Sequence, residues 1–221
     1  MSKLPQISVF ITLLALVGCS DNESNVVSNQ SDINKSKVTK PLQTQINNTV
    51  YTEGVDYRLV SDINSGGLTP PFIIEYFWLS CSHCQTLEKP LQEYKNQHPE
   101  LGFMRKHAVL SERWVMDARL YYALEETNNM KHFDQFFALY MKGMTEERLN
   151  SFFSDNNINK DEFFKVAGSS ETILSQMKES LKEMTDNKMT SVPSLVINGK
   201  YLILKSSDGD YFDLVSYLLT Q

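Results

Sequence analysis

The sequence lacks any cluster of lysine and arginine. It has 221 residues and a formal net charge of −6. Because nucleic-acid phosphates are bound by grouped basic side chains that displace counterions, this charge pattern excludes a nucleic-acid partner. The apolar content is nonetheless 41%. That content is sufficient for a packed core in one domain, or in one domain that carries an insertion.

A hydrophobic run long enough to span a bilayer is also missing near the N-terminus. The apolar run Ile7–Val17 is too short for a transmembrane helix. With Lys3 before it and small residues after it, it predicts an export signal over residues 1–18. The segment Leu16-Val17-Gly18-Cys19 resembles a bacterial lipobox, so we expect Cys19 to be lipidated. The alternative is an ordinary signal peptide that contains a cysteine.

Residues 19–49 have no aromatic side chain and are rich in Asn, Ser, Gln and Lys. They show neither a helical nor a strand period, which is typical of a flexible segment. We interpret them as a lipidated tether on the periplasmic side of a bacterial membrane. Ser20, and not aspartate, follows the lipobox cysteine, which in Gram-negative lipoproteins favours the outer membrane.

Cysteine is scarce, with three residues in the chain. If lipidation consumes Cys19, one pair remains, Cys81 and Cys84. Export would place this pair outside the reducing cytoplasm, where disulfides persist.

The remaining sequence predicts strands at both ends and helices between them. Strands are predicted at 57–60, 72–77 and 103–109, and a helix at 82–97 follows the second strand. Residues 111–188 have a helical period with aromatic stripes. These stripes indicate packing between helices, although such a stripe could also line a ligand groove.

The C-terminal part predicts a hairpin and a final helix. Apolar runs at 194–197 and 201–204 flank Asn198-Gly199, a pair suited to the positive φ angles of a type I′ turn. A helix at 210–219 follows. The order predicts an α/β protein with a thioredoxin fold and an inserted all-helical domain. The first part of the thioredoxin domain covers residues 50–110, and its second part covers 189–221. The inserted helical domain covers residues 111–188.

Cys81-Ser82-His83-Cys84 lies where a predicted strand meets a predicted helix. The positive end of a helix favours a thiolate, so Cys81 is predicted to be the exposed, acidic thiol and Cys84 the more covered, resolving thiol. His83 adds a donor beside Cys81.

Zinc sites use the same spacing, but no second CxxC or close histidine pair is present, and we expect no metal or cofactor. An inert structural disulfide is the other alternative.

Pro193 follows Thr190-Ser191-Val192 and precedes a predicted strand. Proline is unfavourable inside a central strand, so we expect a special turn with a cis peptide bond after Val192. That turn would leave backbone groups of Val192, next to Ser191, free to pair with an extended client segment. The alternative is an ordinary proline at the start of a strand.

Three stretches together resemble the DsbA family of bacterial disulfide oxidases. They are Glu53-Gly54-Val55-Asp56-Tyr57, then Glu75-Tyr76-Phe77-Trp78 leading into Cys81-Ser82-His83-Cys84, and Val192-Pro193-Ser194-Leu195-Val196-Ile197-Asn198-Gly199-Lys200-Tyr201. The resemblance makes Cys81 the nucleophile, Cys84 the resolving cysteine, His83 the thiolate stabiliser and Pro193 the cis proline.

By the same resemblance, Glu75 corresponds to a buried acid that relays protons to and from Cys84. A carboxylate paired with a neighbouring base at a strand edge is the alternative. The basic partner of this acid corresponds to Arg105 or Lys106, and adjacent strand residues face opposite sides, so only one of them can reach it.

The resemblance implies an oxidase that transfers its disulfide to exported proteins with free thiols and is reoxidised by a membrane partner of the DsbB type. Ser82 stands where the best-known oxidases have proline, so the resemblance does not fix the redox potential. A reductase or isomerase of the same compartment is the nearest alternative. A lipoprotein that binds a partner through its helical domain, without catalysis, is another.

Overall fold

The computed structural model describes residues 50–204 and 211–221. The predicted signal, tether and lipidated Cys19 lie outside these residues. The elements, in chain order, are β1 (Tyr57–Leu59), β2 (Phe72–Phe77), α1 (Ser82–Gln97), β3 (Gly102–His107), α2 (Glu112–Glu126), α3 (Phe133–Met141), α4 (Glu146–Asp155), α5 (Lys160–Ser169), α6 (Glu171–Asp186), β4 (Ser194–Ile197), β5 (Tyr201–Ile203) and α7 (Tyr211–Leu219).

Five strands form one mixed sheet in the order β1-β5-β4-β2-β3. The pair β2–β3 is parallel and the other pairs are antiparallel. Helices α2–α6 lie between β3 and β4 in the chain. The predicted thioredoxin fold with an inserted helical domain is confirmed.

Strand β3 differs most from its predicted bounds, since it begins and ends earlier. Ala108 still donates a hydrogen bond to the Phe77 carbonyl at 2.8 Å, but Ser111 then adopts the N-cap position of α2. The start of a helix therefore ends the strand. The predicted hairpin turn is present, with positive φ at Asn198 and Gly199.

Strand β2 is buried on both faces, which explains its almost continuous apolar sequence. Ile73 packs in a cluster with α1 and α7. Ile74 and Tyr76 pack on the other face with Met184 of α6. Alternate residues of one strand therefore serve two separate cores.

The aromatic stripes of the insertion pack between helices, and they continue the core from the end of β2. The ring of Phe77 meets Tyr121 edge-on at 4.9 Å between centroids, and it meets Phe133 in the same way at 5.8 Å. Phe136 and Phe163 extend this cluster. The insertion is thus packed against the strand end that precedes the CxxC segment.

A buried carboxylate joins the sheet to α6. Both oxygens of Glu183 lie 2.7 Å from Lys106 Nζ. The Tyr76 hydroxyl donates a hydrogen bond to the same carboxylate at 2.7 Å, and the Asn64 backbone N–H donates another at 2.7 Å. A buried charge with this number of donors is stable only while they remain in place.

We expect Lys106→Met to lower the free energy of unfolding by about 3–5 kcal/mol, because it leaves the Glu183 carboxylate buried without its cation. Urea denaturation monitored by circular dichroism measures this change. Lys182→Met is the matched control, since the Lys182–Asp186 pair is exposed and water screens it. Equal decreases in the free energy of unfolding for Lys106→Met and Lys182→Met would contradict a stabilising role of the buried Lys106–Glu183 pair.

Candidate active site

Cys81 occupies the N-cap position of α1. Its backbone is extended, with φ −86° and ψ 114°. Its Sγ accepts a hydrogen bond from the Cys84 N–H at 3.3 Å. The sulfur therefore takes the place that a serine or aspartate oxygen occupies in an ordinary helix cap, at the positive end of the helix.

The Cys81 thiol is acidic, with a pKa lowered to about 6. The hydrogen bond from the Cys84 thiol contributes most, and burial opposes it. The backbone N–H groups of Cys84 and His83 follow, and the charge of His83 contributes least. The Cys84 thiol and the helix backbone thus stabilise the Cys81 thiolate more than the histidine ring does.

Cys84 has the opposite character. Its side chain is 0% exposed, and burial, followed by the hydrogen bond to Cys81, raises its pKa far above the ordinary value. Cys81 is 8% exposed, less than the sequence suggested, because it packs in the same core cluster as Leu79 and beside Val192. The pair thus consists of one acidic, slightly accessible thiol and one covered neutral thiol.

The Val192–Pro193 peptide bond is cis, as the sequence predicted. It lies beside the thiol pair, since Cys81 Sγ is 3.6 Å from the Val192 carbonyl oxygen. Ser194 donates its hydroxyl to the Ser191 carbonyl at 2.8 Å. Within residues 50–204 and 211–221, the Val192 N–H has no hydrogen-bond partner. A second cis bond, Pro70–Pro71, was not predicted.

Glu75 is buried in β2 and pairs with Arg105. Arg105 Nε lies 2.7 Å from Glu75 Oε2, and Arg105 Nη2 lies 2.5 Å from Glu88 Oε2. Burial raises the pKa of Glu75, and Arg105 offsets part of this rise. The charge of Glu75 in turn contributes to the raised pKa of Cys84. Because β2 lies between β4 and β3, Glu75 is not on a strand edge.

The structure distinguishes the two basic candidates. Arg105 is the direct neighbour of Glu75 in the parallel β2–β3 ladder. Lys106 faces the other side of the sheet and pairs with Glu183. Lys106 as the partner of Glu75 is therefore wrong, because adjacent residues of a strand point to opposite faces.

Two residues that the sequence did not indicate hold the segment before Cys81. The buried His107 accepts the Leu79 N–H at Nε2, at 3.2 Å, and its Nδ1 lies 2.8 Å from the Ala108 carbonyl. Burial lowers the pKa of His107 to about 3, so it stays neutral at ordinary pH. Asp117 of α2 accepts hydrogen bonds from Trp78 and Ser80. Both contacts join distant parts of the chain, and no local pattern marks them.

Side chains that could hold a metal ion are not grouped in threes or more anywhere in the described part of the chain. None of the helices over 50–204 and 211–221 has the length and apolar character needed to cross a membrane.

Comparisons with known proteins agree with this fold. A family model described as thioredoxin matches residues 68–211. The thiol:disulfide interchange protein DsbA of Azotobacter vinelandii is 29% identical over 158 residues, which cover 67% of this chain and 73% of the relative. The protein of the same name from Pseudomonas aeruginosa is 26% identical over 180 residues, with 76% and 84% covered.

Two solved structures share the fold. The crystal structure of Pseudomonas aeruginosa DsbA has a TM-score of 0.65 at 24% identity and covers 77% of this chain and 93% of that chain. The structure of the oxidoreductase DsbA from Xylella fastidiosa has a TM-score of 0.67 at 18% identity, with 78% and 97% covered.

We expect the reduced protein to titrate one thiol near pH 6, because the Cys84 thiol and the start of α1 stabilise the Cys81 thiolate while Cys84 stays protonated. Below this pH, reduction of the disulfide takes up two protons, and above it one. The redox potential should therefore fall by about 59 mV per pH unit below pH 6 and by about 30 mV per unit above it. Equilibration with glutathione across the pH range measures both slopes. A constant steep slope up to pH 8 would contradict an acidic Cys81.

Proposed function

The chain belongs to the thioredoxin family and is a DsbA-family thiol:disulfide oxidoreductase, and we propose that it introduces disulfides into exported proteins through Cys81 and Cys84. The observation that carries this proposal is the contrast within the pair. The sulfur that caps α1 has a pKa lowered to about 6, whereas the buried sulfur has a raised pKa.

In the proposed reaction, a client thiolate attacks Cys81 Sγ of the disulfide form. The bond between the two cysteines breaks, and Cys84 leaves and takes up a proton. A second client thiol then loses its proton, attacks the client sulfur of the mixed disulfide and expels Cys81 as a thiolate. The client loses two electrons and gains a disulfide, and the cysteine pair gains the two electrons.

The acidity of Cys81 favours this direction, because a stable thiolate is a good leaving group and stabilises the dithiol state. Only the part of the pKa shift that lies below the ambient pH stabilises the dithiol state. A pKa of about 6 lies about one unit below pH 7, which corresponds to a contribution on the order of 1 kcal/mol, or a few tens of millivolts, towards a more oxidising couple. This contribution to the redox potential is moderate.

Glu75 is proposed to exchange the proton of Cys84. Cys84 has no exposed surface, so water cannot readily reach the sulfur that must be protonated when it leaves. The raised pKa of Glu75 allows the carboxyl group to hold a proton more readily than an exposed glutamate would. Arg105 stabilises the ionised form of the same group after transfer.

Client binding is proposed to use the backbone before Pro193. The Val192 carbonyl lies 3.6 Å from Cys81 Sγ, so a client strand paired with Val192 and Ser191 would pass directly over the reacting sulfur. Pairing through main-chain groups does not depend on client side chains. This mode suits an enzyme that acts on many exported proteins with free thiols.

The proposed location is the periplasmic side of a bacterial membrane, with the outer membrane favoured and Cys19 as the lipid anchor. The lipobox resemblance supports the anchor, and the similarity to DsbA proteins supports a reaction outside the reducing cytoplasm. A membrane partner of the DsbB type would then restore the disulfide. A reductase or isomerase would be the better assignment if the measured potential lay close to that of thioredoxin, about −270 mV.

Replacing Cys84 tests the client reaction. In Cys84→Ala, the Cys81 thiolate can attack the disulfide of an oxidised client and expel one client thiolate, and the chain then has no second cysteine in the site to resolve the mixed disulfide, so exported proteins should accumulate as covalent adducts. Non-reducing electrophoresis and mass spectrometry detect these adducts. The matched control Cys81→Ala should give none, because the buried Cys84 is inaccessible. Absence of adducts on Cys84→Ala in the native compartment would contradict the proposed oxidase.

Replacing Cys19 tests the anchor. Cys19→Ala should move the protein from the membrane fraction to the soluble periplasmic fraction, because a thioether-linked lipid would be lost. Fractionation with immunoblotting measures this, and mass spectrometry of the mature N-terminus identifies the lipid. Thiol exchange by the purified variant should be unchanged. An unlipidated Cys19 in the parent protein would contradict the proposed anchor while leaving the oxidase proposal intact.

A further inference from the structure

One carboxylate of the insertion ties together the segment that leads into the thiol pair. Asp117 Oδ2 accepts a hydrogen bond from Trp78 Nε1 at 2.6 Å and another from Ser80 Oγ at 2.8 Å. Its Oδ1 accepts the Tyr140 hydroxyl at 3.1 Å. The partners come from the loop between β2 and α1 and from α3, and all of them are donors.

Trp78 is held from a second direction by the same helix. Its ring stacks on Trp114 with 4.5 Å between centroids and 12° between planes. The Arg113 guanidinium lies 5.8 Å from the Trp78 ring centroid. Trp114 precedes Asp117 by about one helical turn, so α2 supplies both the stack and the hydrogen bond. This combination fixes the indole in position and in rotation.

The backbone of Trp78 connects this hold to both cysteines. The Cys81 N–H donates to the Trp78 carbonyl at 3.0 Å. A hydrogen bond from the Trp78 backbone also lowers the pKa of Cys84, against the larger effect of burial. Ser80 directly precedes Cys81. A shift of the Trp78–Ser80 segment would therefore move Cys81 Sγ relative to the Cys84 N–H, from which it accepts a hydrogen bond.

We propose that Asp117 is a positioning residue for thiol–disulfide exchange, which holds the Trp78–Ser80 segment so that Cys81 caps α1. The inference rests on the proposed function of the cysteine pair. It goes beyond that function in giving the helical insertion a part in setting the acidity of the nucleophile. Asp117 contacts neither sulfur and acts through the loop.

If Asp117 positions the loop, Asp117→Asn should raise the pKa of Cys81, whereas the loss of its negative charge alone would lower that pKa. Removing a negative charge near Cys81 would stabilise the thiolate and lower its pKa. Loosening the loop weakens the hydrogen bonds that the cap sulfur accepts and raises the pKa. In Asp117→Asn, the neutral amide oxygen is a weaker acceptor than the carboxylate, and an NH₂ group replaces one of the two acceptor oxygens, so the charge-assisted hydrogen bonds that hold the Trp78–Ser80 segment are weakened.

We expect Asp117→Asn to raise the pKa of Cys81 by about half a unit and to shift its equilibrium with glutathione by about 2- to 3-fold towards the disulfide. Ultraviolet absorbance of the thiolate and redox equilibration measure the two effects. Ser80→Ala should change the Cys81 pKa in the same direction by a smaller amount, without removing a charge. Asp155→Asn, on an exposed end of α4, should leave it unchanged.

An unchanged or lowered Cys81 pKa in folded Asp117→Asn would overturn this inference while the parent protein still titrates near pH 6. An ordinary thiol pKa in the parent protein would instead contradict the proposed function itself. If Asp117→Asn does not fold, Ser80→Ala decides the matter, since its side chain is exposed and an unchanged pKa there would overturn the inference. The fluorescence of the two tryptophans should also change in Asp117→Asn, because the hydrogen bond from the Trp78 indole N–H becomes weaker when its acceptor loses its charge.

Discussion

The capping of a helix by a sulfur atom is the interaction on which the chemistry of this protein depends. Cys81 Sγ accepts the Cys84 N–H, so the group that satisfies the helix start is also the proposed nucleophile. Forming the disulfide changes the cap, and reducing the disulfide restores it as a thiolate. The free energy of the cap is therefore coupled directly to the redox equilibrium.

The strict alternation of side chains in β2 and β3 separates two buried polar networks. On one face, Arg105 pairs with Glu75, and the charge of Glu75 contributes to the raised pKa of Cys84. On the other face, Lys106 and Glu183 join the sheet to α6. Because the sheet lies between them, one network can take part in proton exchange while the other remains a structural connection.

The helical insertion is closely connected to the site and packs against the strand end that carries it. Phe77 enters the aromatic cluster of the insertion directly after the buried strand. The following loop then donates hydrogen bonds to Asp117 of α2 and to His107 at the end of β3. The cap of α1 is thus supported by residues far away in the chain, which accounts for its defined geometry.

The sequence alone determined the features that depend on neighbouring residues. The order of strands and helices follows from hydrophobic periods, the turn at Asn198-Gly199 from backbone preferences, and the reactive pair from a CxxC at a strand–helix junction. Tertiary structure decided the features that depend on packing between distant segments. It selected Arg105 over Lys106, covered Cys81 more than expected, gave His83 a minor part in the acidity of Cys81, and brought Asp117 and His107 to the loop. Strand register and burial are properties of the assembled sheet, and a local pattern cannot contain them.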